Sequence, residues 1–166
     1  MIEIRDERPW DADAVRDVNC QAFGQDQEGR IVDALRAHGG VLVSLVAVAD
    51  GMVVGHIMFS PLTVGAVAGA ALGPMAVRPD HQHRGIGSRL VEQGIERLRR
   101  DGCPFIVVIG HPEFYPRFGF EPAGAMGLQC EWEVPADAFM VAVLNPEVRG
   151  ALAGVATYRP EFSTVP

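Results

Sequence analysis

The spacing of apolar residues at the beginning of the chain predicts one strand followed by two helices. Residues 2–5 alternate between apolar and charged side chains, which is typical of a short strand. Asp11 then offers an N-cap, and the apolar positions that follow it up to residue 22 recur at helical spacing. A second segment with apolar positions on one helical face begins near Glu28 and stops at the glycine pair 39–40. We therefore expect the chain to open in the order β-α-α.

The next part of the chain is β-rich and predicts two hairpins. Residues 41–49 and 52–60 are rich in Val and are joined by an Asp-Gly dipeptide. This dipeptide tolerates the positive φ angles of a type I′ turn, so it predicts a hairpin between two strands. Residues 63–79 are apolar and rich in Gly and Ala, and they predict a second hairpin that ends in a strand near residues 72–77.

The following segments predict a crossover connection between parallel strands. From Ile86, apolar residues recur at helical spacing until an Asp-Gly pair ends the helix at residues 101–102. Residues 104–110 form a continuous apolar run of the kind that is buried on both faces of a sheet. Strand, helix and strand in this order make at least one parallel pair. A helical turn near residues 113–118 and a strand at 139–144 complete the order β-α-α-β-β-β-α-β-α-β-β, which predicts an α/β (α+β) fold with a mixed sheet and helices on both faces.

Composition narrows the class of protein and of partner. The 166 residues are 48% apolar and 21% charged, which is enough for one domain with a sizeable core. The net charge of −7 disfavours nucleic acid and anionic membranes as partners. All 14 basic residues are Arg, which excludes a lysine Schiff base and a phosphate loop of the GxxxxGK[ST] kind. Three widely spaced cysteines, a charged start and the lack of an apolar segment long enough to span a bilayer predict a soluble, cytoplasmic protein with reduced thiols.

The most informative segment is a strand that runs through a polar turn into an amphipathic helix, at residues 75–94. Gly85 and Gly87 lie in the turn, where the first amides of the helix have no intrahelical partner. Those amides and the positive end of the helix suit a pyrophosphate. Residues 78–100 also contain six Arg against three acids, which would attract an anionic ligand. A plain tight turn beside a solvated helix face is the alternative, whereas a Rossmann dinucleotide site is disfavoured because Leu90 stands where a third small residue is needed.

Two motifs in this part of the chain resemble the GCN5-related N-acetyltransferase (GNAT) superfamily. The acetyl-CoA signature of that family, [RQ]-x-x-G-x-[GA], is matched by QHRGIG at residues 82–87, with a strand before it and a helix after it as in the family. A second family element, Tyr-x-x-x-Gly-Phe, is matched by Tyr115 with Gly119 and Phe120. The surrounding sequence, HPEFYPRFGF, resembles that of a bacterial subgroup of predicted N-acetyltransferases.

The resemblance implies a GNAT-like mixed, mostly antiparallel sheet of about seven strands. It implies a single N-acetyltransferase domain over residues 1–166, with a core at 1–145 and a C-terminal extension at 146–166. It also implies acetyl-CoA as the acetyl donor, bound mainly by backbone groups. In the strand, the residues that would pair with the pantetheine arm and the acetyl carbonyl are Met75, Ala76 and Val77. In the turn, the residues that would hold the pyrophosphate are Gln82, His83, Arg84, Gly85, Ile86, Gly87 and Ser88.

The motif and the chemistry of acetyl transfer together single out Tyr115 as the candidate catalytic acid. A departing thiolate needs a proton, and a phenol is about as basic as an alkyl thiolate. The alternative is an aromatic residue that only packs. No general base stands out, because the strand at 72–77 has no Glu or His, and a water chain or binding of the neutral amine could replace a base. The candidates for a base are Glu28, His56, His111 and Glu113, although for His56 a hydrogen-bonded imidazole in the core or on the surface is the favoured alternative. The aromatic residues that could wall a substrate cleft are Phe114, Phe118, Phe120, Trp132 and Phe139, although scattered aromatic residues usually belong to the core.

These observations favour an acetyl-CoA-dependent N-acetyltransferase that acts on a primary amine of a small molecule or peptide by direct transfer in a ternary complex. A catalytically silent CoA-binding sensor or interaction domain is the main alternative, and a protein that binds a nucleotide or another phosphate ligand is a weaker one. No metal site is expected, since His81 and His83 have no third ligand placed beside them. The segment after Asn145 could add a last strand, cover the substrate cleft, or meet a second subunit in a homodimer.

Overall fold

The fold is built on one mixed sheet in the computed structural model, which describes residues 1–165. Its strands and helices follow one another in an order close to the expected one. They are β1 (Ile2–Asp6), α1 (Ala12–Phe23), α2 (Gln27–Ala37), β2 (Val43–Ala49), β3 (Met52–Val64), β4 (Val67–Val77), α3 (Ile86–Arg100), β5 (Phe105–Ile109), β6 (Glu121–Pro122), β7 (Leu128–Cys130), β8 (Phe139–Val143), β9 (Gly154–Thr157) and α4 (Glu161–Thr164).

The sheet is largely antiparallel. Its strand order is β1-β2-β3-β4-β5-β8-β6, and β9 joins it by pairing with both β3 and β7. Within residues 1–165 only the pairs β4–β5 and β7–β9 are parallel. This confirms the predicted fold class and the predicted crossover from β4 through α3 to β5. The nine strands of the described chain exceed the expected number because β6 and β7 have two and three residues, too few to show a period in the sequence.

Helices cover both faces of the sheet, as predicted. Leu45 and Ala47 of β2 belong to the apolar cluster that contains Leu90 and the rest of the buried face of α3. Val46, between them in the strand, belongs to the cluster that contains Val15 of α1 and residues of α2. Because neighbouring strand residues point to opposite faces, α3 lies on one face and α1 and α2 lie on the other.

The Asp-Gly dipeptide forms the expected tight turn, but the hairpin after it differs from the prediction. Asp50 and Gly51 have φ angles of 51° and 77°, as a type I′ turn requires. The next strand does not end at residue 60, because β3 continues through Pro61 to Val64 before the chain turns into β4. Proline is tolerated there because β2 has already ended its pairing at Phe59 and β9 begins its pairing only at Thr63, so residue 61 has a neighbouring strand on one side only.

The parallel strands β4 and β5 are paired over only part of their length. The paired residues run from Ala70 opposite Ile106 to Leu72 opposite Val108. Beyond Leu72, β4 continues to Val77 and pairs with β3 on one edge only, within the described part of the chain. The two strands therefore leave a gap in the sheet that begins at Leu72.

The last part of the chain both extends the sheet and packs against α2. β9 pairs with the end of β3, which confirms the expectation that this segment could add a last strand. In the segment that follows, Arg159 and His38 both contact the carboxylate of Glu161, with nitrogen–oxygen distances of 2.9 and 3.1 Å. Among residues 1–165, no helix combines the length and the hydropathy needed to cross a bilayer.

Candidate active site

A cleft of about 930 Å³ opens at the gap between β4 and β5. Its central part is lined by residues 72–77 of β4 and by residues 108–111 at the end of β5. The start of α3 lines it on one face of the sheet, and parts of α1 and α2 line it on the other. The cleft therefore leads through the sheet from the α3 face to the α1–α2 face.

The β4 edge of the cleft offers backbone groups without a strand partner. Met75, Ala76 and Val77 line the cleft and are paired on their other edge with β3. The carbonyl of Val77 accepts a hydrogen bond from Nε2 of Gln82 at 3.0 Å. The Gln82 side chain thus holds the polar turn against the end of β4, a positioning contact rather than a direct one to a ligand.

The turn before α3 places its amides at the cleft with no internal acceptor. His83 and Gly85 have φ angles of 64° and 81°, so the backbone curves through the left-handed region at two nearby positions. No side chain caps α3, and within residues 1–165 none of the amides from His83 to Ser88 donates a hydrogen bond. Four orphan donors at a helix start, together with the positive end of the helix dipole, form a site for an anion.

Nine of the ten residues predicted to bind the donor lie together along this cleft. The exception is Arg84, whose side chain is exposed and does not line the cleft. A Cβ on Gly87 would lie 3.3 Å from Cε of Met75, so the end of that flexible side chain would have to shift slightly to admit a larger residue. Those that line it are Met75, Ala76, Val77, Gln82, His83, Gly85, Ile86, Gly87 and Ser88.

Tyr115 stands beside the central part of the cleft, at the start of a 3₁₀ turn over Tyr115–Phe118. Its ring is only 6% exposed and packs edge-on against Phe114 and Phe120, with centroids 5.0 and 5.6 Å away. A Cβ on Gly110 would lie 2.4 Å from the ring, so the small residue after β5 makes room for it. The hydroxyl makes no hydrogen bond to any residue among 1–165. Burial raises the pKa of Tyr115 to about 12, so the hydroxyl remains a proton donor at neutral pH.

Arg117 is a cleft residue that the sequence analysis did not single out. Its guanidinium stacks on the rings of Phe114 and Phe118, 4.6 and 5.3 Å from their centroids. Its Nη2 donates a hydrogen bond to Oγ of Ser88 at 3.2 Å, so it reaches the first turn of α3. A cation is therefore held beside the unpaired amides. The signal in the sequence was its place inside the HPEFYPRFGF segment, between two aromatic residues.

On the α1–α2 face, the cleft has a mainly apolar lining and one acidic residue. Phe23 ends α1, and Glu28 and Ile31 lie in α2. Opposite them, the ring of Tyr158 packs edge-on against Trp132 and Phe162, with centroid distances of 4.9 and 5.4 Å. The rings of Tyr158 and Phe162 belong to the C-terminal extension. This segment therefore also covers part of the cleft, which was a second possibility considered for it.

Comparisons with known proteins agree with this geometry. The model of the acetyltransferase (GNAT) family matches residues 5–120. The chain belongs to the GNAT family. Among its relatives, N-acetyltransferase YhbS of Escherichia coli K-12 is 32% identical over 163 residues, 96% of this chain and 98% of that protein. N-acetyltransferase YjhQ of the same strain is 38% identical over 134 residues, 76% of this chain and 74% of YjhQ.

Two solved GNAT structures match nearly the whole chain. The crystal structure of YhbS from E. coli in complex with CoA has a TM-score of 0.94 at 32% identity and covers 99% of this chain and 93% of that one. A GNAT family acetyltransferase from Brucella melitensis, crystallised with acetyl-CoA, has a TM-score of 0.83 at 36% identity and 98% coverage of both chains. These matches confirm the resemblance to the GNAT superfamily that the two sequence motifs indicated, and they confirm the GNAT-like sheet.

The candidate bases of this GNAT chain separate into two groups. Glu28 and His111 line the cleft, whereas Glu113 is exposed outside it. His56 does not line the cleft either, so it is not in a position to act as the base. It is fully buried, with Nδ1 3.2 Å from the Asn19 amide and Nε2 2.9 Å from the Ser44 hydroxyl.

The aromatic residues expected around the cleft of this GNAT chain are also divided. Phe114 and Trp132 line it. The other three pack elsewhere, since Phe120 and Phe139 are buried in the core and Phe118 is half-buried against it. For these three residues the alternative is therefore the correct one: they fill the core, because motif position alone does not distinguish an aromatic residue that faces a ligand from one that packs inside.

Proposed function

We propose that this GNAT chain transfers an acetyl group from acetyl-CoA to a primary amine of a small molecule or peptide, directly and in a ternary complex. One observation carries the proposal: the unpaired edge of β4 and the uncapped start of α3 lie along the same cleft. A strand edge suits the amide groups of a pantetheine arm, and free helix amides suit a pyrophosphate. The relatives crystallised with CoA and acetyl-CoA support this assignment.

Residues along the cleft fit the pyrophosphate, the pantetheine arm and the acetyl group of the donor. The amides from His83 to Ser88 and the nearby Arg117 would hold the pyrophosphate. Gly87 leaves space beside Met75, so the chain can approach the ligand closely. Backbone groups of Met75, Ala76 and Val77 would pair with the pantetheine arm and with the acetyl carbonyl. Acetyl-CoA, when bound, supplies an acetyl group activated as a thioester.

Tyr115 is the proposed catalytic acid. The amine nitrogen forms a bond to the acetyl carbon, the carbon–sulfur bond breaks, and the Tyr115 hydroxyl gives its proton to the departing sulfur. Burial raises the pKa of Tyr115 to about 12, so the hydroxyl carries its proton at neutral pH and is present as a donor when the sulfur departs. A backbone N–H at Val77 or a neighbour would donate to the carbonyl oxygen as it gains charge.

The proton that the amine must lose has two candidate acceptors in the cleft, Glu28 and His111. Direct attack requires the neutral amine, so either side chain could take the proton itself or through water. β4 carries no Glu or His between Leu72 and Val77, and for this reason a catalytically silent CoA-binding domain remains the outcome to test against.

The test is the release of free thiol from acetyl-CoA in the presence of a mixed library of primary amines. We expect amine-dependent release by the wild type and a loss of at least about tenfold in turnover for Tyr115→Phe, a conservative threshold because an acid catalyst typically contributes about 10²–10⁴-fold. Calorimetric titration of Tyr115→Phe with CoA serves as the control and should match the wild type. Unchanged turnover would refute the role of Tyr115. No release above the spontaneous rate with any amine, despite binding of CoA, would refute the enzyme in favour of the silent domain.

A further inference from the structure

The two ends of the cleft differ in charge and in polarity. The α3 end presents unpaired amides and the guanidinium of Arg117, which suit an anion. At the α1–α2 end, the lining consists of aromatic and aliphatic side chains and the carboxylate of Glu28, the one acidic residue that lines the cleft within the described chain. No cationic side chain from α1, α2 or the C-terminal extension lines this end among residues 1–165.

The apolar wall at this end is formed by parts of the chain that are far apart in sequence. Tyr158 packs against the apolar cluster beneath β5 and β8, and Phe162 packs against the cluster beneath α1 and α2. The edge-on contact between their rings, 5.4 Å between centroids, joins these two clusters on the same face of the sheet. Trp132 adds a third ring, 4.9 Å from Tyr158, and is half-buried. A preformed aromatic wall suits a rigid apolar group more than a flexible charged one.

The carboxylate opposite this wall is held in place. Nε2 of Gln25 lies 3.1 Å from each oxygen of Glu28, and the Glu28 side chain is half-buried. Another carboxylate close to the wall, that of Glu131, accepts a hydrogen bond from the Tyr158 amide at 2.7 Å, and Glu131 is exposed outside the lining. The cleft therefore offers one negative charge to an ammonium group at this end.

We infer that the α1–α2 end of the cleft is the acceptor subsite and that it selects a primary amine with a single positive charge and an aromatic or bulky apolar body. This inference rests on the proposed function. An ammonium group approaching along Glu28 would be attracted by one carboxylate, and the body of the acceptor would cover the rings of Trp132, Tyr158 and Phe162.

The same lining disfavours two other classes of amine. A polyamine or an aminoglycoside would bring further ammonium groups to a lining with no second carboxylate. A cation–π contact with an aromatic face returns about 0.5–2 kcal/mol, which is less than the several kcal/mol that an ammonium group loses when it is dehydrated. A free amino acid would place its own carboxylate near Glu28, with no cation from this face to receive it. The chain's overall charge of −7 would attract all of these amines alike, so selection falls to the cleft.

The test uses pairs of amines that differ by one charged group. Pentylamine and 1,5-diaminopentane differ by a terminal ammonium, and 2-phenylethylamine and phenylalanine differ by a carboxylate. With thiol release as the readout, we expect kcat/KM to be at least about tenfold higher for the singly charged member of each pair, and highest for 2-phenylethylamine. Equal or better rates with the diamine or with the amino acid would overturn the inference while leaving the proposed function intact.

The chain's two tryptophans supply a matched pair of variants. Trp10 is 73% exposed and does not line the cleft, whereas Trp132 lines it. Trp132→Ala should raise the KM for 2-phenylethylamine at least tenfold and leave the KM for acetyl-CoA unchanged, and Trp10→Ala should alter neither. Glu28→Gln should raise the KM for every amine. A Trp132→Ala variant that behaves like Trp10→Ala would refute the proposed wall.

Binding can also be followed without turnover. In a Trp10→Phe variant, Trp132 is the remaining indole, so its emission should shift when 2-phenylethylamine or pentylamine enters the subsite and should not shift with 1,5-diaminopentane at the same concentration. A selective shift without thiol release would leave the subsite standing and refute the proposed function. The absence of any shift with the singly charged amines would refute the subsite, whatever the rate of acetyl transfer.

Discussion

The buried imidazole of His56 should make the stability of this protein fall as the medium becomes mildly acidic. His56 is fully buried in β3, and burial, assisted by the nearby charge of Arg36, lowers its pKa to about 3. Glu7 lies 3.9 Å from its Nε2, yet that carboxylate is already bound by Arg36 and by the Ser44 hydroxyl, so it does not favour a proton on the ring. His56 is therefore neutral in the folded protein above about pH 3.

The magnitude follows from the difference between the folded and unfolded states. An unfolded chain binds a proton at His56 with a pKa of about 6.5, so the unfolded state gains protons that the folded state excludes as the pH falls below this value. Each pH unit within the interval costs about 1.4 kcal/mol, so the free energy of unfolding should drop by about 2 kcal/mol between pH 7.5 and pH 5. A pKa lowered by folding in a histidine thus contributes stability that is present above the unfolded pKa and declines below it.

The assay is urea unfolding of the wild type and of His56→Gln at pH 7.5 and pH 5. Glutamine can hydrogen-bond to Asn19 or Ser44 and carries no proton that titrates in this range. The readout is the change in the free energy of unfolding between the two pH values, and the variant's stability at either pH alone is not used. We expect that change to be about 2 kcal/mol smaller in the variant than in the wild type. Equal changes would mean that His56 accepts a proton in the folded state and that the account of its burial is wrong.

Two further experiments test the turn before α3 and the wall of the cleft. Gly85→Ala and Gly65→Ala both put a side chain at a left-handed position with open space around it, with φ angles of 81° and 57°, so each should cost about 1 kcal/mol of stability. Only Gly85→Ala should weaken CoA binding in calorimetry, by at least about tenfold, and an equal loss in both variants would argue against the turn as the pyrophosphate site. Tyr158→Phe removes an enclosed hydroxyl that bonds to no residue among 1–165, so thermal unfolding should show it to be about 1 kcal/mol more stable than the wild type. A loss of stability would reveal that this hydroxyl has a partner, such as a bound water.

The α3 end of the cleft could be predicted because local sequence encodes it. The amphipathic pattern of α3, the glycines at its start and the strand before it occupy one continuous segment, and the predicted residues share one cleft. The family motif also located Tyr115, although its burial among Phe114 and Phe120 follows from tertiary packing. Here the elements are long enough for their period to be visible in the sequence.

The α1–α2 end could not be predicted in the same way. Glu28 and Phe162 line the same cleft but are separated by most of the chain, and no local pattern relates them. The segment that carries Tyr158 is placed by β9, whose four residues are too few to show a strand period. His56 was one of several candidate bases in the sequence, and its hydrogen bonds to residues of α1 and β2 confirm the alternative of a bonded core imidazole, which only the tertiary structure could decide.

The one-sided pairing of β4 after Leu72 also links cofactor affinity to resistance against unfolding. A donor lying along that edge would complete the sheet where the polypeptide leaves it incomplete, and it would bind only to the folded chain. When its free concentration is about a hundred times its dissociation constant, such a ligand stabilises the folded state by about 2.7 kcal/mol. Melting temperature can therefore rank acyl thioesters of different chain length before any acceptor is known, because the measurement reports occupancy of the open edge and requires no second substrate.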